Sequence, residues 1–177
     1  MLRAAIVALL VSRLLIPQTL QRTYAHKGRT IRYTAVVFAP PVQITPDNGG
    51  LNQDTALNCV RLYWSRLKDL DIQGAAQLYM DPRREIDART KYKQRVGDEV
   101  FRQMHANVFG STRFTHELTI GAEHALVSDT SPGLLMLFRV RDGKLFLESA
   151  ELGKLTQDAQ DLITLVNDYG DGKLKLE

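Results

Sequence analysis

Apolar residues recur at helical spacing through the first half of the chain and at alternating spacing through the second. Ala56, Val60, Tyr63 and Leu67 lie three or four residues apart with Trp64 beside them, which predicts a helix from Asp54, a good N-cap, to Leu70. Asp71 can cap a shorter helix over residues 72–80, with Ala75, Ala76, Leu78 and Tyr79 as its apolar contacts. Asp81-Pro82 ends it, because the proline ring disfavours helical geometry at the residue before. Residues 83–96 are strongly charged and fit either a helix or a strand. Asp98 caps a third long helix, with Phe101, Met104 and Val108 on one face and Gly110 closing it.

The period then changes. Phe114, His116, Leu118 and Ile120 alternate with Arg113, Thr115, Glu117 and Thr119, so a strand over residues 112–120 carries one apolar face. Residues 124–129 predict a short second strand. Residues 134–141 and 144–152 flank Asp142-Gly143, a two-residue hairpin signal that pairs Val140 with Leu145, Phe138 with Leu147 and Met136 with Ser149. Ala159, Leu162, Ile163, Val166 and Tyr169 predict a closing helix over residues 156–169. Upstream, residues 30–38 (TIRYTAVVF) are β-branched and aromatic, a strand that Pro40-Pro41 is expected to stop. Pro46-Asp-Asn-Gly-Gly50 then marks a turn-rich boundary. The expected layout is a targeting segment over 1–25, a connector with one possible strand over 26–53, and a single domain over 54–177.

Helices followed by antiparallel strands define an α+β class. The run Tyr63-Trp64-Ser-Arg-Leu67-Lys-Asp-Leu-Asp71-Ile-Gln-Gly-Ala75-Ala76-Gln-Leu78-Tyr79-Met-Asp81 resembles the opening of the NTF2-like superfamily, the cystatin-like α+β cone. There an aromatic-bearing first helix leads through an Asp to a short Ala-Leu-Tyr helix ending in Asp. Val140-Arg-Asp142-Gly143-Lys144 is similar to that family's late hairpin, and the resemblance spans residues 54–152. It implies N-terminal helices packed on a curved antiparallel sheet around an apolar pocket, here with an added C-terminal helix. That superfamily holds isomerases, hydrolases, dehydratases, transport adaptors and assembly factors, so the fold alone implies no activity.

Charge changes the picture of the N-terminus. Residues 1–40 hold six basic residues and no acid, whereas the rest of the chain sets 17 basic residues against 20 acidic ones. The overall net charge of +3 therefore sits on the leader and the residues that follow it, and a nucleic-acid partner is disfavoured. A positive start, an apolar run over residues 4–11 and Thr23-Tyr24-Ala25 as a small-residue cleavage site fit an export signal for the periplasm or exterior. A mitochondrial presequence and an uncleaved anchor over residues 4–16, the chain's one route to a membrane, stay open.

Candidate chemistry is sparse. The resemblance implies a ligand pocket lined by Tyr63, Trp64, Tyr79, Phe114, His116, Met136 and Phe138. His116 is the one titratable group on its strand's apolar face and the candidate base. No carboxylate can be named as its partner, since Glu117 and Glu148 alternate away and Asp69, Asp71 and Asp81 have capping roles. His105 reads as a core histidine and His124 as an exposed turn residue. Arg83, Arg84, Arg89, Lys91, Lys93 and Arg95 form a basic stretch, read either as a solvated face or as a docking surface for an acidic partner or anionic lipid headgroups. Cys59, the single cysteine, reads as a small buried hydrophobe. The four histidines lack short metal-ligand spacing, and nothing calls for a cofactor. The expectation is a non-catalytic binding or assembly module of the bacterial envelope, with a protein partner or a small apolar ligand. A small-molecule isomerase or hydrolase using His116 is the alternative, and a mitochondrial complex subunit is the third reading.

Overall fold

A computed structural model describes residues 18–45, 52–129, 135–149 and 155–176. Two strands open the described chain, β1 (Gln18–His26) and β2 (Arg29–Gln43), joined by Lys27-Gly28. Both turn residues take positive φ, 48° and 78°, which matches the turn to the twist of the strands. β1 begins inside the stretch expected as a targeting segment, and Thr23-Tyr24-Ala25 lies within it, opposite Arg32, Ile31 and Thr30. The expected connector therefore carries sheet from its first residues. The Lys-Gly turn is what the sequence reading overlooked. Residues 1–17, including the apolar run, lie outside the described residues, as does the turn-rich run from Pro46 to Gly50. Among the described residues, no helix is long and apolar enough to cross a membrane.

β2 runs through Pro40-Pro41 instead of stopping there. Its pairing with β3 shifts register between Val37 and Val42, so the two prolines sit where no ladder donor is required. Four helices follow: α1 (Ala56–Lys68), α2 (Ile72–Ala76), α3 (Pro82–Val96) and α4 (Asp98–Ser111). Thr55 caps α1, its Oγ1 accepting from Asn58 N at 3.2 Å, while the expected cap Asp54 is held by Asn52. α2 is shorter than expected, because residues 78–80 turn out of the helix to pair with Leu147. Pro82 begins a helix rather than ending one, since α2 has already stopped at Ala76. Asp81 caps α3 and the proline occupies its first turn, where the missing N–H costs nothing. That resolves the charged stretch as helix. Gly97, not Asp98, separates α3 from α4, at φ 82°.

The last four strands are β3 (Arg113–Ile120), β4 (Glu123–Ser128), β5 (Leu135–Arg141) and β6 (Lys144–Leu147), followed by α5 (Gln157–Gly170). All six strands form one open antiparallel sheet in chain order. Val140 pairs with Leu145 and Phe138 with Leu147 across Asp142-Gly143. Met136 and Ser149 do not pair, since β6 ends at Leu147 and Glu148 N donates to Leu137 O at 2.9 Å. Residues 150–152 of the expected strand lie outside the described residues. The edge of β6 is occupied: Leu145 N donates to Gln53 O and Leu147 N to Leu78 O, at 2.9 and 2.7 Å. Such cover removes an open sheet edge.

A second bulge decides what each face of the sheet carries. Phe114 pairs with Ser128 and His116 with Val127, leaving Thr115 as an extra residue. Strict alternation would keep Phe114 and His116 on one side, but the inserted residue sends them to opposite sides. Phe114 joins the core between sheet and α1–α4, with Trp64, Phe101, Leu126, Phe138 and Leu147. Leu118 joins a second core between sheet and α5, with Tyr33, Val127, Leu137, Leu162 and Leu165. The architecture is three layers: four helices, a curved sheet, one helix.

Candidate functional site

Where α1, α3 and α4 meet the β5–β6 end of the sheet, a cavity of about 250 Å³ remains. Met104, Val108, Phe109, Met136 and Leu147 supply apolar wall, and Tyr63, Tyr79, Arg89, His105 and Glu148 supply polar atoms. The helical spacing behind the α1 stripe aims Tyr63 inward, and the strand-like turn after α2 brings Tyr79 against it, ring centroids 5.4 Å apart.

Glu85 organises the polar rim. It is buried on α3, and its Oε1 accepts from Tyr63 OH and from Arg89 Nε, each at 2.6 Å. Glu85 and Arg89 are i, i+4 neighbours, so one helical turn builds the ion pair. Arg89 NH1 reaches toward His105 Nε2 at 3.3 Å. The other ring nitrogen of His105, Nδ1, lies 2.7 Å from Phe101 O, a carbonyl that can only accept. His105 is therefore the Nδ1–H tautomer, and Nε2 is free to accept from Arg89.

The protonation states follow from these contacts. Burial pushes the Tyr63 phenol far above its ordinary value, and neighbouring Tyr79 adds to the effect while Arg89 opposes it. Burial also raises Tyr79, helped by the Glu85 charge and partly offset by hydrogen bonds from Tyr63 and Arg89. Desolvation works to lower Arg89, but Tyr63 and the Glu85 carboxylate outweigh it and hold the guanidinium charged. Burial lowers His105, and the Arg89 charge lowers it further against the opposing carbonyl bond. Two neutral phenols, a neutral imidazole and one internally balanced ion pair surround the cavity. Apart from the Glu148 carboxyl, these groups offer hydrogen bonds without a net charge.

Behind Glu148 lies a second polar cluster. Arg139 Nε donates to Glu123 Oε1 at 2.7 Å, Thr156 Oγ1 donates to the same oxygen at 2.8 Å, and Arg139 NH2 stands 2.8 Å from Glu148 Oε1. Burial raises the Glu148 carboxyl above its ordinary value, the Glu123 charge raises it further, and Arg139 opposes both.

The chain matches no protein-family model, no curated protein and no solved structure. What the site can do rests on its own geometry.

Of the residues expected to line a pocket, Tyr63, Tyr79 and Met136 line this cavity. Trp64, Phe114 and Phe138 are packed in the core between helices and sheet. His116 is on the other side of the sheet, with Nδ1 2.9 Å from Thr115 Oγ1 and its ring edge-on to Tyr169 at 5.6 Å. The bulge at Thr115 removes it from the cavity, so it cannot serve there as a base. His124 is a half-buried strand residue rather than an exposed turn, 2.7 Å from Glu117 Oε1. Arg89 leaves the expected basic surface for the rim of the cavity. Lys93 pairs with Asp98 at 3.3 Å, and Arg95 lies 5.2 Å over the Tyr92 ring. Arg83, Arg84, Lys91 and Arg95 remain solvent-facing on α3. Cys59 is fully buried and its thiol is pushed up to about 12 by desolvation, outside the reactive range. Among the described residues, no group of three or more His, Cys, Asp or Glu could hold a metal ion.

Glu85, Arg89, His105 and Glu148 are polar groups at the cavity that the sequence reading did not place in a pocket. The signals for the first three were the i, i+4 pairs Glu85–Arg89 and Phe101–His105, legible once residues 83–96 are read as helix.

Proposed function

We propose that this chain is a small-ligand binding module whose cavity between α1, α3, α4 and the β5–β6 end takes a neutral, mainly apolar molecule carrying one hydrogen-bonding oxygen. The observation that carries the reading is the charge-balanced rim, in which Glu85 already neutralises Arg89 while Tyr79 keeps its hydroxyl proton. Small-molecule sites combine apolar walls with a few fixed polar groups in this way. An apolar cavity of roughly 150 Å³ accepts a benzene ring. A volume of 250 Å³ therefore suits a ring with a short side chain. Among the described residues no nucleophile–base pair faces the cavity, which favours binding over catalysis. The order of helices before a curved antiparallel sheet supports the NTF2-like resemblance. The β1–β2 hairpin ahead of the helices, the helical α3 and the added α5 are departures from it.

The test is thermal melting of the chain with alkylphenols and aryl ketones at millimolar concentration. A ligand selective for the folded state raises the melting temperature by mass action. The rise is expected in the native chain and absent in Val108→Trp, which plugs the mouth from an exposed position of α4. Equal behaviour of the two proteins would count against the cavity as the site.

A second reading, an assembly module of the bacterial envelope, is favoured by the exposed basic positions Arg83, Lys91 and Arg95 on α3. Their charge reversal leaves the cavity rim untouched, whereas reversal of Arg89 would break it. Loss of co-purifying partners in the triple Glu variant would support this reading, and unchanged recovery would oppose it. Export belongs to the same proposal, and a signal that is removed must then be cut ahead of Gln18, since β1 starts there.

A further inference from the structure

Glu123, Arg139 and Glu148 are a buried set with one positive charge for two carboxylates. Glu123 and Arg139 sit directly opposite each other on β4 and β5. The side chains of Glu123 and Glu148 keep only 4% and 11% of their exposure, so neither charge is well hydrated. Arg139 Nε donates to Glu123 Oε1, while NH2 lies 2.8 Å from Glu148 Oε1 as an ion pair without hydrogen-bond geometry. The second oxygens, Glu123 Oε2 and Glu148 Oε2, are sealed from solvent with no donor within reach. A buried carboxylate oxygen without a donor is costly, and two in one cluster would doubly disfavour the ionised state. A single proton removes both problems, because a carboxylic acid donates to a neighbouring carboxylate and leaves one anion for one guanidinium.

We infer that Glu123 and Glu148 hold one proton between them, carried on Glu148, and that its loss weakens binding of apolar ligands in the neighbouring cavity. The second half rests on the ligand-binding reading given above. Glu148 lines the main cavity and also a smaller one of about 150 Å³ beside Met80, Asp81, Arg84, Ser149 and Leu155. When the proton leaves, the surplus negative charge must be hydrated, and these two spaces are where water can reach it. Water drawn into the main cavity competes with an apolar ligand. The charged groups facing the pair are Arg139 on β5, Asp81 and Arg84 at the start of α3, and Arg89 with neutral His105 across the cavity. Arg139 is in ion-pair contact with both acids.

The test uses the full chain labelled with [¹³C]glutamate, infrared detection of the carboxylic-acid carbonyl band across pH, and calorimetric binding of toluene as a neutral probe. The native chain should retain one acid band above the range where ordinary glutamates ionise, and both Glu148→Gln and Glu123→Gln should lose it. Toluene affinity should fall several-fold as the band disappears in the native chain and stay level with pH in Glu148→Gln. Absence of a retained band overturns the shared proton. A retained band with pH-independent toluene binding overturns the coupling. Toluene binding to neither protein at any pH sinks the cavity reading and the coupling with it, while the band still decides the shared proton.

Discussion

Arg89 and Arg83 lie on the same helix, yet substitution should separate them sharply. Arg89→Met leaves Glu85 buried with a negative charge and a single remaining donor, Tyr63 OH. Breaking a buried pair from one side costs about 3–5 kcal/mol, and the low end, about 3 kcal/mol, is expected because Arg89 keeps 29% of its side chain exposed. Arg83→Met should fall within about 0.5 kcal/mol of the native chain. Urea denaturation of the two variants checks the contrast, and equal costs would remove Glu85 from its organising role. The pH dependence at His105 has a definite sign. Its folded value is depressed below 6.5, so the unfolded chain takes up a proton more readily. Its contribution is present above pH 6.5 and is lost as pH falls through the folded value. The urea midpoint should drop in that window for the native chain and drop less for His105→Gln, which has no proton to gain. Glu148 carries the opposite sign. Its raised value makes its contribution fullest below the unfolded value of 4.5 and lost as pH rises through the folded one.

At the scale of elements, the β1–β2 hairpin joins the sheet through the pairing of β2 with β3 and is tied to α5 by polar contacts. Tyr24 OH donates to Asp168 Oδ2 at 3.0 Å, His26 Nδ1 lies 2.9 Å from the same oxygen, and Arg29 NH2 donates to Asp161 at 2.8 Å. Desolvation opposes the Asp168 charge, but the hydrogen bonds from Tyr24 and His26, with the charges of His26 and Lys173, hold its carboxyl below the usual range. A chain begun at His26 loses all of β1 but its last residue and leaves β2 as an open edge, a known route to aggregation. It should melt lower and aggregate sooner on heating than a chain begun at Gln18, as light scattering during a melt would show. Indistinguishable melts would make β1 dispensable. The long helices α1, α4 and α5 and the Asp-Gly hairpin were legible in the sequence because stripe and turn agree locally, as at Ala56, Val60, Tyr63 and Leu67 or at Asp142-Gly143, whereas the charged residues of α3 carry no apolar stripe and fitted helix or strand. β1 was hidden beneath a charge pattern that also fits a leader. The site was half legible: the inward aim of Tyr63 follows from periodicity and Tyr79 came from the resemblance, but Thr115 gives no local sign of a bulge, and that one residue moves His116 to the wrong face. Bulges arise from the pairing of distant strands, which alternation along one strand does not encode.

For the molecule as a whole, the consequence of the sheet is two cores that share a wall without sharing contacts. Phe138 is fully buried on the side of α1–α4 and Leu162 is fully buried beneath α5. Leu162→Ala removes atoms from a packed interior and should cost about 2–5 kcal/mol. Phe138→Leu is the milder change and should cost about 1–2 kcal/mol. Side chains on opposite faces of one sheet have no common partner, so the double variant should cost the sum of the singles to within about 0.5 kcal/mol. The central strands β3, β4 and β5 nevertheless belong to both layers: β4 sends Leu126 to one core and Ala125 and Val127 to the other. Loss of either core therefore strips one side of the same strands, and neither half has a sheet of its own to retain. The double variant should still unfold in one urea transition, with fluorescence of Trp64, which reports the α1–α4 core, and far-ultraviolet dichroism coinciding. A fluorescence transition separated from the dichroism would divide the chain into two folding units and would assign α5 and the hairpin to the weaker one.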